Sequence, residues 1–256
     1  GEDNDPAVYG QVYISIKPNT GSTLTTTTKN QIITSLKAFN VASITPVIVD
    51  SVTLLLELTT TVKYNPTVTE KTNSDLRALV ETAISSFNTN NLEKFDSVFR
   101  HSNILKAIDD VDPAILSSTV AVKLKRKITP TLNAATKYTV SFNNAAFHPT
   151  NNHSQTVVES SGFFLVGDTN EQYIDDDGSG TIRTFYLLGG TTKTITNASA
   201  GTVNYATGEV VLTSLNITSV ENADGTIDIT LKPDSNDVIP VRNQVIEIDT
   251  VASSVT

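Results

Sequence analysis

The sequence predicts an α+β protein, in which a split-βαβ-like open sandwich is followed by an all-β module of short antiparallel strands. Two patterns predict this class. Residues 9–129 alternate between strand-like runs of period two and apolar residues at helical spacing. Residues 130–256 show only short strand-like runs between turn signals. The low charged fraction of 18% leaves room for many Thr, Asn and Ser residues, which favour strands and turns.

The first elements of the chain are a strand and a capped helix. The strand runs up to Pro18, and its inward side chains are predicted to be Val12, Ile14 and Ile16. Thr25 is a favourable N-cap for the helix that follows. The apolar face of this helix carries Ile32, Ile33 and Leu36.

A short strand at residues 44–49 and a long one at Val52–Tyr64 come next, with apolar residues on one face of the long strand. Thr72, three residues before Asp75, predicts a capping box at the start of the clearest helix. Its apolar residues are Leu76, Leu79, Val80, Ala83, Ile84 and Phe87. A shorter helix is predicted over residues 102–109, where the pair Asp109 and Asp110 is read as a solvated helix end.

The last strand of the first half places apolar residues inward and basic residues outward. The inward set is Val120, Val122 and Leu124, and the outward set is Lys123, Lys125 and Lys127 beside Arg126. We expect this basic face to be solvated or to contact another protein, because stacking aromatic residues typical of a nucleic-acid surface are missing.

The second half is predicted to contain seven short strands and one long polar loop. The strands are residues 138–142, 163–166, Thr181–Leu188, 201–205, 209–213, Ile227–Leu231 and 245–248. Gly208 supplies the positive φ that a tight hairpin requires. The loop at residues 143–154 is read as a mobile tip or a partner-binding segment. The domain boundaries that follow are a linker at residues 1–8, an α+β domain at 9–129 and an all-β domain with a C-terminal strand at 130–256.

Composition excludes several classes of function. A net charge of −9, from 18 basic and 27 acidic residues, argues against binding to nucleic acid or to an anionic membrane surface. The apolar stretch at residues 47–58 is interrupted by polar residues and is too short to cross a bilayer. The polar start at Gly1, without Met, predicts a piece of a longer protein.

An Asp-rich run is the best candidate for a metal site. Its match to the first half of a calcium loop consists of Asp175, Asp177, Ser179, Gly180 and Ile182. The twelfth position is Tyr186, where calcium needs a bidentate carboxylate. A hairpin turn is therefore the favoured interpretation, and a calcium site is the alternative.

No other pattern predicts catalysis or a cofactor. The three His residues are His101, at a helix start, and His148 and His153, in the long loop. Two loop His residues do not provide the three ligands of a catalytic zinc site. A Ser-His-Asp triad would need a nucleophile elbow, which the sequence lacks. We predict a protein without enzymatic activity, cofactor or metal.

Several stretches together resemble the baseplate wedge subunit of contractile-tailed bacteriophages, which is related to the broader baseplate J group. In the first half they are residues 9–18, 44–50, 62–65, 91–95, 99–102, 107–113 and 116–118. In the second half they are residues 176–180, 201–205, 207–210 and 235–244.

This resemblance implies a structural virion protein of the tail baseplate, assembled in the host bacterial cytoplasm. It implies that copies pair through this C-terminal portion, join into a ring, contact other wedge proteins and help relay the trigger for sheath contraction. It offers no catalytic residues. We expect the segment at residues 235–244 and the last strand at 245–251 to contribute to the subunit contact. The candidate contact residues are Asn236, Asp237, Ile239, Pro240, Arg242 and Gln244.

Two other classes of function remain open from the sequence. A carbohydrate-binding or adhesin-like β module on an α+β domain would use the loop at residues 143–154 and the turn at 175–177. The absence of Trp argues against it, although Tyr can also form a platform for a sugar ring. A hydrolase that uses Asp and His has less support.

Overall fold

A computed structural model of the protein describes residues 9–18, 23–39, 44–148 and 156–256. The helices within these residues are α1 (Thr26–Lys37), α2 (Asn73–Asn91) and α3 (His101–Asp109). The strands of the first half are β1 (Gln11–Ile16), β2 (Thr45–Asp50), β3 (Val52–Tyr64) and β4 (Ile115–Ile128).

Ten further strands follow in the described part of the second half, which contains no helix. They are β5 (Ala135–Ser141), β6 (Val158–Ser160), β7 (Phe163–Leu165), β8 (Gln172–Asp176), β9 (Thr181–Leu188), β10 (Thr192–Asn204), β11 (Glu209–Val220), β12 (Ile227–Leu231), β13 (Gln244–Ile248) and β14 (Ser254–Val255). The combination of helices with many strands confirms the α+β class.

The first unit of the fold is β1, α1 and β2, which stands apart from the main core. β1 and β2 form a parallel two-stranded sheet of their own. Thr25 caps α1 as predicted, since its side chain accepts a hydrogen bond from the backbone N–H of Thr28 at 3.2 Å. No residue of α1 is buried. An ion pair between Lys17 and Glu247 ties this unit to β13.

The central sheet forms around β3 and β4, which pair antiparallel over most of their length. β13 and β14 add to β3 in parallel, and β12 adds to β4 in antiparallel orientation. Leu54, Leu56 and Leu58 of β3 are completely buried in a core that also contains Val80 of α2 and Ile104 of α3. Because β12, β13 and β14 lie after residue 130, the sheet runs across the predicted domain boundary, and the division into two domains stays a prediction.

The predicted capping box at the start of α2 is confirmed. The backbone N–H of Asp75 donates to the Thr72 hydroxyl at 3.2 Å, and the backbone N–H of Thr72 donates to the Asp75 carboxylate at 2.9 Å. The Thr72 hydroxyl also donates to the Asp75 carboxylate at 2.6 Å, and this hydrogen bond together with the one from the Thr72 backbone N–H lowers the pKa of Asp75. The finer prediction of a split-βαβ order is not confirmed, because β3 and β4 are antiparallel neighbours and β1 and β2 lie in another sheet.

Five strands of the second half form a closed sheet. β7, β8, β9, β10 and β11 pair in a cycle, in which β8 contacts both β7 and β9, and β11 contacts both β7 and β10. β6 connects this closed sheet to β12 and thus to the central sheet. Apolar side chains such as Phe163, Ile182 and Ile217 fill its interior.

The prediction for Lys125 is wrong. This side chain is expected from the pattern to point to solvent beside Lys123 and Lys127, but Lys125 is only 3% exposed. It is ion-paired with Asp249, and Asp228 lies 3.6 Å from its Nζ atom. The turn after β13 brings Asp249 over this face of the sheet, and a strand pattern alone does not reveal such a cover.

No helix within the described residues is long and apolar enough to cross a membrane.

Candidate subunit-contact surface

The segment between β12 and β13 crosses the start of α3, and a buried pair of residues anchors it. The backbone groups of Val238 and Phe99 exchange two hydrogen bonds of 3.0 Å. Both side chains are completely buried, and the ring of Phe99 meets Phe87 edge to face at 6.3 Å between centroids. The middle of the segment is therefore fixed to the core.

Asp237 caps α3 from a distant part of the chain. The N-cap residue of this helix, Arg100, makes no capping hydrogen bond with its own side chain. The Asp237 carboxylate accepts a hydrogen bond from the backbone N–H of His101 at 2.9 Å and from the Arg100 guanidinium at 2.8 Å. A carboxylate at a helix N-terminus is also favoured by the helix dipole. The segment is thus attached to α3 through a charged group.

The contacts of the Asp237 carboxylate predict that its contribution to stability depends on pH. The hydrogen bond from Arg100 and the backbone N–H of His101 lower the pKa of Asp237. Because folding lowers this pKa, the stabilisation is complete above the unfolded value of about 3.9 and is lost as the pH falls through the folded-state pKa. In a carboxyl NMR titration, Arg100→Ala should raise the Asp237 midpoint, while Lys106→Ala, which removes an exposed ion pair with Asp110 at the other end of α3, should leave it unchanged. A wild-type midpoint at or above the ordinary value would contradict this assignment.

An apolar ridge follows Asp237 and consists of Ile239, Pro240 and Val241. Ile239 is 56% exposed and Val241 is 39% exposed, while Pro240 is half-buried. The side chain of Asn144 holds the ridge at both backbone groups of Ile239, because it accepts from the N–H and donates to the carbonyl, each at 3.2 Å. The backbone N–H of Val241 donates to the Gln244 side chain at 3.3 Å. The ridge is exposed and apolar, and its backbone is held by hydrogen bonds at Ile239 and Val241.

The other predicted contact residues lie in different environments. Asn236 and Arg242 are exposed on either side of the ridge. Gln244 is completely buried at the start of β13, opposite Val52, and we leave it out of the surface. The outer edge of β13 is already occupied, since the backbone N–H of Glu93 donates to Ile246 at 3.0 Å and Phe95 bridges to Val245. The outer edge of β13 is therefore occupied within the chain at Val245 and Ile246, and a contribution of residues 245–251 to the subunit contact stays a prediction.

The Asp-rich run forms the hairpin turn between β8 and β9 that the sequence favours. Asp175 is 1% exposed and is held by Arg183 and Lys193, each with a 2.7 Å contact. Asp176 accepts hydrogen bonds from the backbone N–H groups of Val157 and Val158 at 2.6 and 2.9 Å. Within the described residues, no group of three or more His, Asp or Glu side chains is placed to hold a metal ion.

The structure shows the positions of His101, His148 and the pair Asp109 and Asp110. His101 begins α3, which confirms its position at the helix entry, and its Nε2 atom lies 2.8 Å from the Val120 carbonyl oxygen. Asp109 accepts a hydrogen bond from Ser118 at 2.6 Å, and Asp110 pairs with Lys106 at the end of the helix. His148 packs against Tyr205, whereas His153 and the second half of its predicted loop lie outside the described residues.

Two family models match the first half of the chain. Residues 1–49 match the baseplate structural protein gp6, C-terminal domain I, and residues 53–127 match its C-terminal domain III. The boundary between the two matches falls at the connection from β2 to β3, where the small parallel sheet ends and the central sheet begins. The first match thus contains the small parallel sheet, and the second contains the β3–β4 pair of the central sheet.

A curated relative agrees with these matches. The chain is 29% identical over 124 residues to the baseplate wedge protein gp6 of Enterobacteria phage T4. This alignment covers 48% of the chain and 19% of the relative, so the chain matches about a fifth of that protein. Together with the two domain matches, it confirms that the first half of this chain resembles the C-terminal portion of the baseplate wedge subunit.

Proposed function

We propose that the chain is a structural part of a phage tail baseplate and that it self-associates through the apolar ridge at residues 239–241. The domain matches support the baseplate role. The single observation that carries the self-association is the fixed, exposed ridge, with Ile239 at 56% exposure. Exposed apolar side chains held in one conformation lose little entropy on binding.

In this proposal, the ridge of one copy contacts the same ridge of a second copy. Homo-oligomers most often form twofold contacts in which the same patch of each subunit meets itself. Asn236 and Arg242 flank the ridge and provide the polar rim that such contacts usually have. A contact of this kind would join copies within a baseplate ring.

The β1–α1–β2 unit supplies a second surface in the proposal. Both faces of a parallel sheet are usually covered, yet none of the described residues of this unit belongs to the main core. Its exposed large apolar residues are Tyr9, Val12, Tyr13, Phe39 and Ile44. We propose that this surface binds other baseplate wedge proteins.

The unit could also relay the contraction trigger by moving about Ser51, while the Lys17–Glu247 ion pair keeps it attached to β13.

Sedimentation velocity of the wild-type chain and two variants tests the self-association. Ile239→Asp places a charge in the ridge and should weaken the association at least about tenfold, which corresponds to about 1.4 kcal/mol. Val68→Asp is the matched control, because Val68 is 59% exposed and follows the far end of β3, on the order of 40 Å from the ridge. This control should associate like the wild type.

Two outcomes of this experiment would contradict the proposed contact. A wild-type chain that stays monomeric at micromolar to millimolar concentrations would overturn the self-association. Equal weakening by both variants would show that the contact lies elsewhere or is non-specific. Circular dichroism spectra that coincide for the three proteins would show that the substitutions leave the fold intact.

A further inference from the structure

A cleft of about 810 Å³ opens beside the end of β10. Its wall comes from four parts of the chain, namely the start of the long loop, the turn after β8, the end of β10 with the turn that follows it, and the segment after β12. The described residues that form its polar and aromatic lining are His148, Ser179, Thr202, Asn204, Tyr205 and Asp234. The volume falls within the range of small-ligand sites, roughly 300 to 1,000 Å³.

The floor of the cleft is fixed by buried hydrogen bonds. The Tyr205 hydroxyl donates to Asp176 at 2.8 Å and accepts from the backbone N–H of Gly180 at 3.2 Å. Burial and the adjacent Asp176 raise the pKa of Tyr205, so that the hydroxyl stays protonated. The backbone N–H of Ala146 donates to the Tyr205 carbonyl at 2.7 Å, and the His148 ring packs on the Tyr205 ring at 4.9 Å between centroids. Such a site needs little rearrangement to receive a ligand.

The polar side chains of the cleft are oriented for a ligand that both donates and accepts hydrogen bonds. Asn204 accepts from the backbone N–H groups of Ala206 and Thr207 at 3.0 and 3.4 Å, which leaves its Nδ2 atom to donate into the cleft. The Asp234 side chain makes no ion pair within the described residues, while its backbone N–H is held by Ala145 at 2.9 Å. The cleft thus combines an amide donor, a carboxylate acceptor and the hydroxyl groups of Ser179 and Thr202.

The charge of the lining and the paired edges of β10 disfavour several classes of ligand. Asp234 is the acidic lining residue, and no Lys or Arg is among the described residues of the wall, so phosphate and acidic sugars would meet repulsion without a counter-charge. An extended peptide would need a free strand edge. At the cleft, Thr202 of β10 is paired with Thr181 of β9 on one side and Val211 of β11 on the other.

We propose that this cleft binds a neutral saccharide. Neighbouring hydroxyl groups of a sugar match the Asp234 carboxylate and the Asn204 amide. The apolar face of the sugar ring matches the small exposed side chains of Ala145 and Ala206. This site is independent of the proposed baseplate contact, because its lining shares no residue with the ridge.

An NMR titration of the full ¹⁵N-labelled chain tests the proposal. The probes are glucose, galactose, mannose, N-acetylglucosamine, lactose and maltose. At least one should shift the amide signals of Gly180, Asn204 and Ala206 and saturate with a dissociation constant on the order of 1 mM. Asp234→Ala and the isosteric Thr202→Val should each weaken that binding at least about threefold, because each removes a hydrogen-bonding group from the wall of the cleft.

The controls separate a specific site from a change in fold. Asp110→Ala removes an exposed Asp at the end of α3 and should leave the titration unchanged. The absence of shifts at these amides with every probe would overturn the proposal. Equal binding by wild type and Asp234→Ala, or stronger binding of inorganic phosphate or N-acetylneuraminic acid than of the neutral probes, would also overturn it. Loss of self-association by Ile239→Asp bears on the baseplate contact alone.

Discussion

Replacing Asp249 with alanine is expected to lower the free energy of unfolding by about 3 kcal/mol. Asp249 is ion-paired with Lys125, whose side chain is only 4% exposed. Without Asp249 the buried ammonium group keeps only Asp228, at 3.6 Å. The substitution also removes the acceptor for the backbone N–H groups of Val251 and Ala252, each at 3.1 Å. A buried charge that loses its main partner destabilises a fold strongly.

The pH dependence of this pair has a defined sign. Burial by itself would raise the pKa of Asp249, but the hydrogen bond from Lys125 and the backbone N–H of Ala252 lower it below its ordinary value. The stabilisation is therefore present above the unfolded pKa of Asp, about 3.9, and is lost as the pH falls through the folded-state pKa.

Urea unfolding followed by circular dichroism measures the effect of Asp249→Ala. Asp224→Ala is the matched control, because Asp224 pairs with Lys127 of the same strand, but both side chains are exposed. We expect the control to unfold close to the wild-type midpoint. If Asp249→Ala were no more destabilising than Asp224→Ala, the buried ion pair would not have the structural role assigned to it.

Gly201→Ala is expected to destabilise the closed five-stranded sheet by about 3 kcal/mol. Gly201 lies opposite Leu212 where β10 pairs with β11. A Cβ atom at this position would lie 2.0 Å from the backbone carbonyl oxygen of Val211 and 3.0 Å from its carbon. Since the obstacle is backbone, a rotamer change does not relieve it, and the two strands must separate locally.

Gly225→Ala separates this clash from the conformational cost of losing a glycine. Gly225 has a φ of +75°, but no heavy atom lies within 4 Å of the position that a Cβ atom would take there. Its replacement should cost only the strain of a positive φ, about 1 kcal/mol. Thermal unfolding of both variants should therefore rank Gly201→Ala well below Gly225→Ala in stability, and the reverse order would contradict the close approach of β10 to β11.

Elements with strong local signals could be predicted from the sequence. The bounds of β3, β9 and β12 match the predicted ranges, because each strand is an apolar or β-branched run between turn residues. The capping box of α2 depends on Thr72 and Asp75, which lie three residues apart. Signals of this range are visible without knowledge of the tertiary structure.

Contacts between distant parts of the chain could not be predicted in this way. Lys125 alternates with apolar neighbours like an outward residue, and only the chain near Asp249 buries it. The ridge segment was found through its resemblance to a family, whereas its anchors Arg100 and Asn144 lie more than 90 residues away in sequence. Their residue types are common on surfaces, so nothing local identified them.

Electron cryomicroscopy of the tails of the phage that carries this chain tests the central claim most directly. The account predicts that the chain lies in the baseplate and that Ile239, Pro240 and Val241 of one copy are buried against a second copy. A reconstruction in which the chain lies outside the baseplate, or in which this ridge is exposed to solvent in every copy, would contradict it.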